Sequence, residues 1–291
     1  MKKIFFLVGM ILMLNSSAFS QWVSLSSSTN NQLNSVYFIN NFTGWIAGDD
    51  GLILKTTNGG FNWINQDSRT NQDLFSVFFA SRDTGWIVGY SGTLLKTTNG
   101  GNYWSKQYIT GSSDFKSVYF TDIDTGWIVG GTFDNGVTCK TTNGGSNWTF
   151  QANGFSAARS SVYFINNNTG WTVGEHGIIL KTTNSGANWT IQPSGTSNRL
   201  NSVYFTDINN GWTVGNYGTI HEMLKTTNGG INWSSIIFST ENLSSVYFII
   251  AIQVGLLEAI FIGQVMVEII GKLNQVLLIL TSTQFFLQKT I

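Results

Sequence analysis

One unit of about 41 residues recurs along this chain, and that recurrence restricts the fold more than any other feature. Each copy runs through Ser-Val and two aromatics, a short polar link, Gly-Trp-x-x-Gly, a loop closed by glycine, and an apolar run ending in Lys-Thr-Thr-Asn before a second tryptophan. The first tryptophans are Trp45, Trp86, Trp127, Trp171 and Trp212, at intervals of 41, 41, 44 and 41 residues. The second are Trp63, Trp104, Trp148, Trp189 and Trp233. From a second tryptophan to the next strand valine is 14 residues in four cases, as from Trp63 to Val77, and 13 from Trp233 to Val246. Spacing this regular describes one supersecondary module that buries its faces against copies of itself.

Each unit holds four strand-length runs. In the first they are Ser35 to Phe38, with Val36 and Phe38 alternating against Ser35 and Tyr37, then Trp45 to Gly48, Leu52 to Thr57 and Trp63 to Gln66. Four antiparallel strands per unit of this length predict an all-β propeller, whereas helical solenoids of similar period need a spacing that is absent. The 32 glycines, 11 tryptophans and single proline suit many short strands joined by glycine turns. The expectation is five to six blades over residues 21–250, unclosed.

The segment Thr56, Asn58, Gly60, Trp63 recurs as Thr97, Asn99, Gly101, Trp104; as Thr141, Asn143, Gly145, Trp148; as Thr182, Asn184, Gly186, Trp189; and as Thr226, Asn228, Gly230, Trp233. Ser185 stands where the other copies place their first glycine. The segment resembles the Asp-box hairpin of sialidase-type propellers, with Asn for Asp. Its chemistry is that of a turn: the Asn side chain is expected to bond backbone amides two residues on, and glycine takes positive φ at little cost. Taken whole, the unit is similar to the repeat of the photosystem II assembly and stability factor family. That resemblance implies a seven-bladed propeller that chaperones a photosystem subunit through an arginine-rich surface. The chain departs there, with only Arg69, Arg82, Arg159 and Arg199. What carries over is the fold and a non-enzymatic binding role.

Lys55, Lys96, Lys140, Lys181 and Lys225 occupy one place in every unit. Propeller symmetry sets them in a ring, readable as a binding surface for an acidic ligand or as solvated strand positions. Asp49 with Asp50, Asp122 with Asp124, Asp134, Glu175 and Asp207 could supply a carboxylate pair for glycoside hydrolysis, but most recur as link residues, which suits surface turns better. His176 and His221 read as loop variation, and Cys139, before Lys140 as Leu54 is before Lys55, as a small buried strand residue. Two histidines and one cysteine give no zinc set, and no glycine pair opens a helix as a phosphate cradle requires. The reading assigns no catalytic residue, metal or cofactor. A net charge of zero points away from nucleic acid.

Residues 1–20 have the charged start, apolar core and small-residue end of a secretory signal peptide, so export is expected, without a stable membrane span in the mature propeller. Trp22 to Leu25 matches the last strand of a unit and is expected to help close the ring. After Phe248 the repeat vanishes into an apolar tail, residues 251–291. Read from the third base of each codon, permitted codons turn Ala251 to Glu258 into Asn-Thr-Gly-Trp-Val-Val-Gly, and Gly263 to Gly271 into Thr-Ser-Asn-Gly-Gly-Asn-Asn-Trp. The tail therefore reads as further repeats out of frame. The function expected is an exported, non-enzymatic scaffold that binds a protein or polysaccharide. The alternatives are an Asp-box glycoside hydrolase of sialidase or glucanase type and a cell-surface structural module.

Overall fold

The computed structural model describes residues 27, 29–109, 113–151, 154–217, 220–238 and 243–247. The signal segment, Trp22 to Leu25 and the tail after residue 248 lie outside these.

Five four-stranded antiparallel sheets follow one another in chain order. Blade 1 is β1 (Leu33–Phe38), β2 (Gly44–Gly48), β3 (Ile53–Thr56) and β4 (Ile64–Gln66); blade 2 is β5 (Leu74–Phe79), β6 (Gly85–Gly89), β7 (Leu94–Thr97) and β8 (Ser105–Gln107). Blade 3 is β9 (Phe115–Phe120), β10 (Gly126–Thr132), β11 (Asn135–Thr141) and β12 (Thr149–Phe150). Blade 4 is β13 (Arg159–Phe164), β14 (Gly170–Gly174), β15 (Ile179–Thr182) and β16 (Thr190–Gln192). Blade 5 is β17 (Arg199–Phe205), β18 (Gly211–Tyr217), β19 (Ile220–Thr226) and β20 (Ser234–Phe238). The first strands pack side by side in sequence, β1 on β5, β5 on β9, β9 on β13 and β13 on β17, which makes them the inner wall of an unclosed propeller.

The strands form where they do because both sheet faces are buried between blades. The forward face of blade 1 gives Trp45, Ala47 and Ile53, which pack on Leu74, Val77, Phe79, Ile87, Leu95 and Trp104 from the back of blade 2. The same arrangement joins blades 2 and 3 and blades 3 and 4, with Cys139 fully buried in the first of these cores. It joins blades 4 and 5 as well. Burial pushes the Cys139 thiol up to about 12, as suits an inert packing residue. At each interface a tryptophan of one blade lies flat on the last phenylalanine of the next inner strand. Trp45 on Phe79, Trp86 on Phe120, Trp127 on Phe164 and Trp171 on Phe205 have centroids 3.5, 3.6, 3.6 and 3.5 Å apart. That phenylalanine explains the glycine before each first tryptophan: a Cβ on Gly85 would stand 2.6 Å from the Phe79 ring.

Three details differ from the sequence reading. The inner strand starts earlier, at Leu33 in blade 1, and a bulge between Leu33 and Ser35 recurs in every blade, so two-residue alternation holds only after it. The fourth strand begins at Ile64 and not at Trp63. His221 lies in β19, paired with Asn216, because β18 and β19 run on where blades 1, 2 and 4 turn through a short 3-10 segment. The same lengthening of β10 and β11 accounts for the 44-residue interval.

Residues 243–247 form no strand but lie against blade 5 in the place where a next inner strand would begin. Leu243 and Val246 are buried with Trp212, Val214 and Met223. The Val246 amide donates to Ser202 Oγ at 3.2 Å, and Asn201 Nδ2 donates to the Leu243 carbonyl at 2.9 Å.

Candidate functional site

Each box is a closed set of hydrogen bonds. In blade 1, Thr56 Oγ1 accepts from the Gly60 amide at 2.9 Å and the Asn58 amide at 3.3 Å, and its hydroxyl donates to Asn58 Oδ1 at 3.0 Å. Asn58 Oδ1 accepts from the Asn62 amide at 3.0 Å. The Asn side chain thus reaches four residues on, not the two expected; the two-residue step belongs to the threonine. The pattern repeats in the other four boxes. Gly59 and Gly60 take φ of 73° and 91°, and Ser185, in the position of Gly59, takes 60°. The closing tryptophan meets the inner-strand phenylalanine of its own blade edge-on, Trp104 on Phe79 at 5.9 Å and Trp148 on Phe120 at 5.8 Å.

The five lysines are half-buried, each beside the first tryptophan of its own blade. Their ammonium groups lie 5.7, 5.7, 5.5, 5.3 and 5.5 Å from the rings of Trp45, Trp86, Trp127, Trp171 and Trp212. Those of blades 1 to 4 also lean toward the next blade's box. Lys181 Nζ donates to the Gly229 carbonyl at 2.8 Å, and Lys140 Nζ to Ser185 Oγ at 2.7 Å. Trp45 Nε1 and Trp171 Nε1 donate to the box carbonyls of Gly100 and Gly229, each at 3.2 Å. Burial holds Lys55, Lys140 and Lys181 below the usual lysine range, with Arg82 adding to the effect at Lys55. The geometry gives Lys55, Lys96, Lys140 and Lys181 an inter-blade role whatever else they contact.

The carboxylates singled out in the sequence are spread among local partners. Asp122 Oδ1 accepts from the Asp124 and Thr125 amides at 2.8 and 2.6 Å, and Asp207 Oδ1 from the Asn209 and Asn210 amides at 2.8 and 2.9 Å. Partial burial opposes ionisation of both, but these hydrogen bonds outweigh it and hold both carboxyls below the usual range. Asp49 accepts from Asn34 Nδ2 at 2.7 Å, Glu175 pairs with Arg199 at 3.4 Å, and Asp134 meets His176 Nε2 at 3.3 Å. Among the described residues no three His, Cys, Asp or Glu side chains gather as a metal site, and no helix is long and apolar enough to cross a membrane.

Two features of the inner wall went unread in the sequence. The serine of each Ser-Val pair accepts from the valine amide of the next blade: Ser35 from Val77, Ser76 from Val118, Ser117 from Val162, and Ser161 from Val203, at 3.1, 3.3, 3.4 and 3.3 Å. The aromatic after that valine forms a continuous file: Tyr37, Phe78, Tyr119, Tyr163, Tyr204, Tyr247. Successive centroids stand 5.0, 5.1, 5.3, 4.8 and 5.0 Å apart. The signal for both was present, since serine and tyrosine recur in one phase of the inner strand. A wall that faces neighbours on both sides has no solvent face for that phase to occupy.

The family model for photosynthesis system II assembly factor YCF48 matches the chain in four overlapping stretches, residues 14–111, 61–151, 106–194 and 150–264. No curated protein matches it. Among solved structures, YCF48 bound to D1 peptide is 20% identical with a TM-score of 0.60, over 76% of this chain and 71% of that one. YCF48 from Cyanidioschyzon merolae is 19% identical with a TM-score of 0.56, over 74% and 88%. An ancestral GH74 enzyme is 20% identical with a TM-score of 0.62, over 74% of this chain but only 32% of the enzyme. Likeness at these identities carries the fold alone.

Proposed function

Because the chain belongs to the photosystem II assembly factor YCF48 family, we propose that it is an exported, non-enzymatic propeller that binds another macromolecule and serves as an assembly scaffold. The observation that carries the reading is the match of the family model across the repeats. A YCF48 of the same fold is bound to D1 peptide, which favours a polypeptide over a polysaccharide as the ligand class here. The dispersal of Asp122, Asp207, Asp49, Glu175 and Asp134 among separate local partners also supports binding over hydrolysis. The test is titration of the purified protein with immobilised peptide and polysaccharide libraries, beside turnover assays on sialyl and β-glucan substrates. Saturable binding without turnover is the expected result. Turnover abolished by substituting one carboxylate overturns the reading and favours a glycoside hydrolase, the second reading, to which the GH74 likeness in fold lends weight.

The repeat is further proposed to continue beyond residue 248 in a shifted frame. Support comes from residues 243–247, where the Val246 amide donates to Ser202 as Val77, Val118, Val162 and Val203 donate to the serine one blade back. The nucleotide sequence decides: codons that spell no box across residues 263–271 in that frame end the idea.

A further inference from the structure

The joint between blades 1 and 2 carries at its outer edge two cations that the repeat does not require. Trp104 packs toward blade 1 within that joint, so Lys106, two residues along β8, points the same way. Trp63 packs on the other side of blade 1, so its neighbour Ile64 turns toward blade 2, where it is 65% exposed. Arg69, in the link that follows, crosses to the hairpin of blade 2. Its guanidinium lies 4.4 Å from the centre of the Tyr103 ring, and Nη1 donates to the Tyr103 hydroxyl at 3.2 Å. Lys106 Nζ lies 5.6 Å from the ring of Tyr108, which is 83% exposed. Where Tyr103 stands, the other boxes have Asn62, Asn147, Asn188 and Asn232; where Lys106 stands, the other outer strands have Asn65, Phe150, Ile191 and Ser235. Arg69 is also held against its backbone preference. Its φ of 58° is left-handed, and the matching link between blades 4 and 5 places Gly195 there at 77°. The two links are otherwise alike, since Ser68 Oγ donates to the Thr70 carbonyl as Ser194 Oγ does to that of Thr196, both at 3.1 Å. An arginine kept where glycine serves the turn points to its side chain as the reason.

A guanidinium spread on a ring keeps its edge free to turn outward, and that edge is the fork of N–H donors that fits two carboxylate oxygens. Asp67 Oδ2 stands 3.7 Å from Arg69 Nε, and both side chains remain more than half exposed, so the pair does not enclose the group. β4 and β8 are the outermost strands of their sheets, so each presents a main-chain edge beside these residues. Building on the reading of the ligand as a polypeptide, we propose that Arg69 and Lys106, each laid on a tyrosine, form a binding site for an acidic polypeptide segment. Its carboxylates accept from the two cations, its backbone follows the outer strands, and its apolar atoms meet Ile64.

The test is fluorescence anisotropy at low salt, with the full chain titrated into labelled oligoglutamate, oligoglutamine or oligogalacturonate. Oligoglutamate is expected to saturate, and oligoglutamine is not. Arg69→Gly should weaken oligoglutamate at least about tenfold, the loss of one charge-assisted hydrogen bond. The same variant should keep or raise the urea midpoint, because Gly195 holds the equivalent turn. Lys106→Asn, which places there the residue that blade 1 has at Asn65, should weaken binding by a similar factor. Arg199→Gln removes the same charge from the joint of blades 4 and 5 and should leave binding unchanged. Equal weakening by Arg199→Gln reports diffuse attraction and overturns the proposal, and a lowered urea midpoint for Arg69→Gly does so by giving the arginine a structural role. Oligoglutamate that binds Arg69→Gly as tightly as the parent overturns this site and leaves the polypeptide reading standing. Failure of oligoglutamate to saturate also overturns the proposal; if oligogalacturonate saturates in its place, the polypeptide reading falls with it.

Discussion

Ser185 is the one box residue held in the left-handed region with a side chain, and substituting it separates two effects of opposite sign. Its φ of 60° matches Gly59, Gly100, Gly144 and Gly229 at 73°, 67°, 64° and 68°. An L-residue there costs about 1 to 2 kcal/mol, of which glycine recovers about 1 after its larger loss of chain entropy. Against that stands the 2.7 Å hydrogen bond from Lys140. Because the lysine is half-exposed and its partner neutral, the bond is worth about 1 kcal/mol. Ser185→Ala keeps the strain and loses the bond, so it should destabilise by about 1 kcal/mol. Ser185→Gly loses both and should stay within about 0.5 kcal/mol of the parent. In a Lys140→Met background, where there is no bond to lose, Ser185→Gly should stabilise by about 1 kcal/mol. Urea unfolding followed by tryptophan fluorescence, at unchanged m-value, reads all five proteins: the parent, the two Ser185 variants, Lys140→Met and Lys140→Met with Ser185→Gly. Equal stability of the alanine and glycine variants would refute the strain argument, and absence of coupling to Lys140 would refute the bond.

Ser117→Ala leaves the buried Val162 amide without its 3.4 Å acceptor and should cost about 1 to 2 kcal/mol in the same titration. Phe120→Ala removes the ring stacked at 3.6 Å on Trp86 and met edge-on by Trp148, so a loss of about 3 to 5 kcal/mol is expected, with a red shift of tryptophan emission. The buried phenols of the inner wall predict alkaline instability: with folded values near 12 against 10 unfolded, the stabilisation from Tyr37 and Tyr204 is complete below pH 10 and lost as pH rises toward 12. Each contributes at most about 1.4 kcal/mol per pH unit in that window, less after solvent screening, and Tyr204→Phe should flatten the measured slope.

The blade was legible because its punctuation is local. Box, glycine pairs and tryptophan spacing each report a turn or a strand end without knowledge of neighbours, and Cys139 could be placed by register with Leu54. What the sequence withheld were the roles that arise only between blades. The lysines read as a ring or a solvated position, yet all five meet a tryptophan beside them and those of blades 1 to 4 a box one unit further along. The alternation of Ser35 and Tyr37 with Val36 and Phe38 suggested two distinct faces, but not that both are interior and differ in which neighbour they meet. The bulge after Leu33 left no trace in composition, and His221 looked like a loop residue because longer hairpins keep the same glycine endings.

The stacked tryptophan and phenylalanine give each blade a front unlike its back, and every front fits every back. A gene built on such a module gains or loses one by duplicating or deleting a stretch of DNA of the repeat length, and no new joint has to be invented. Selection on blade number is thereby left to whatever the completed circle must enclose.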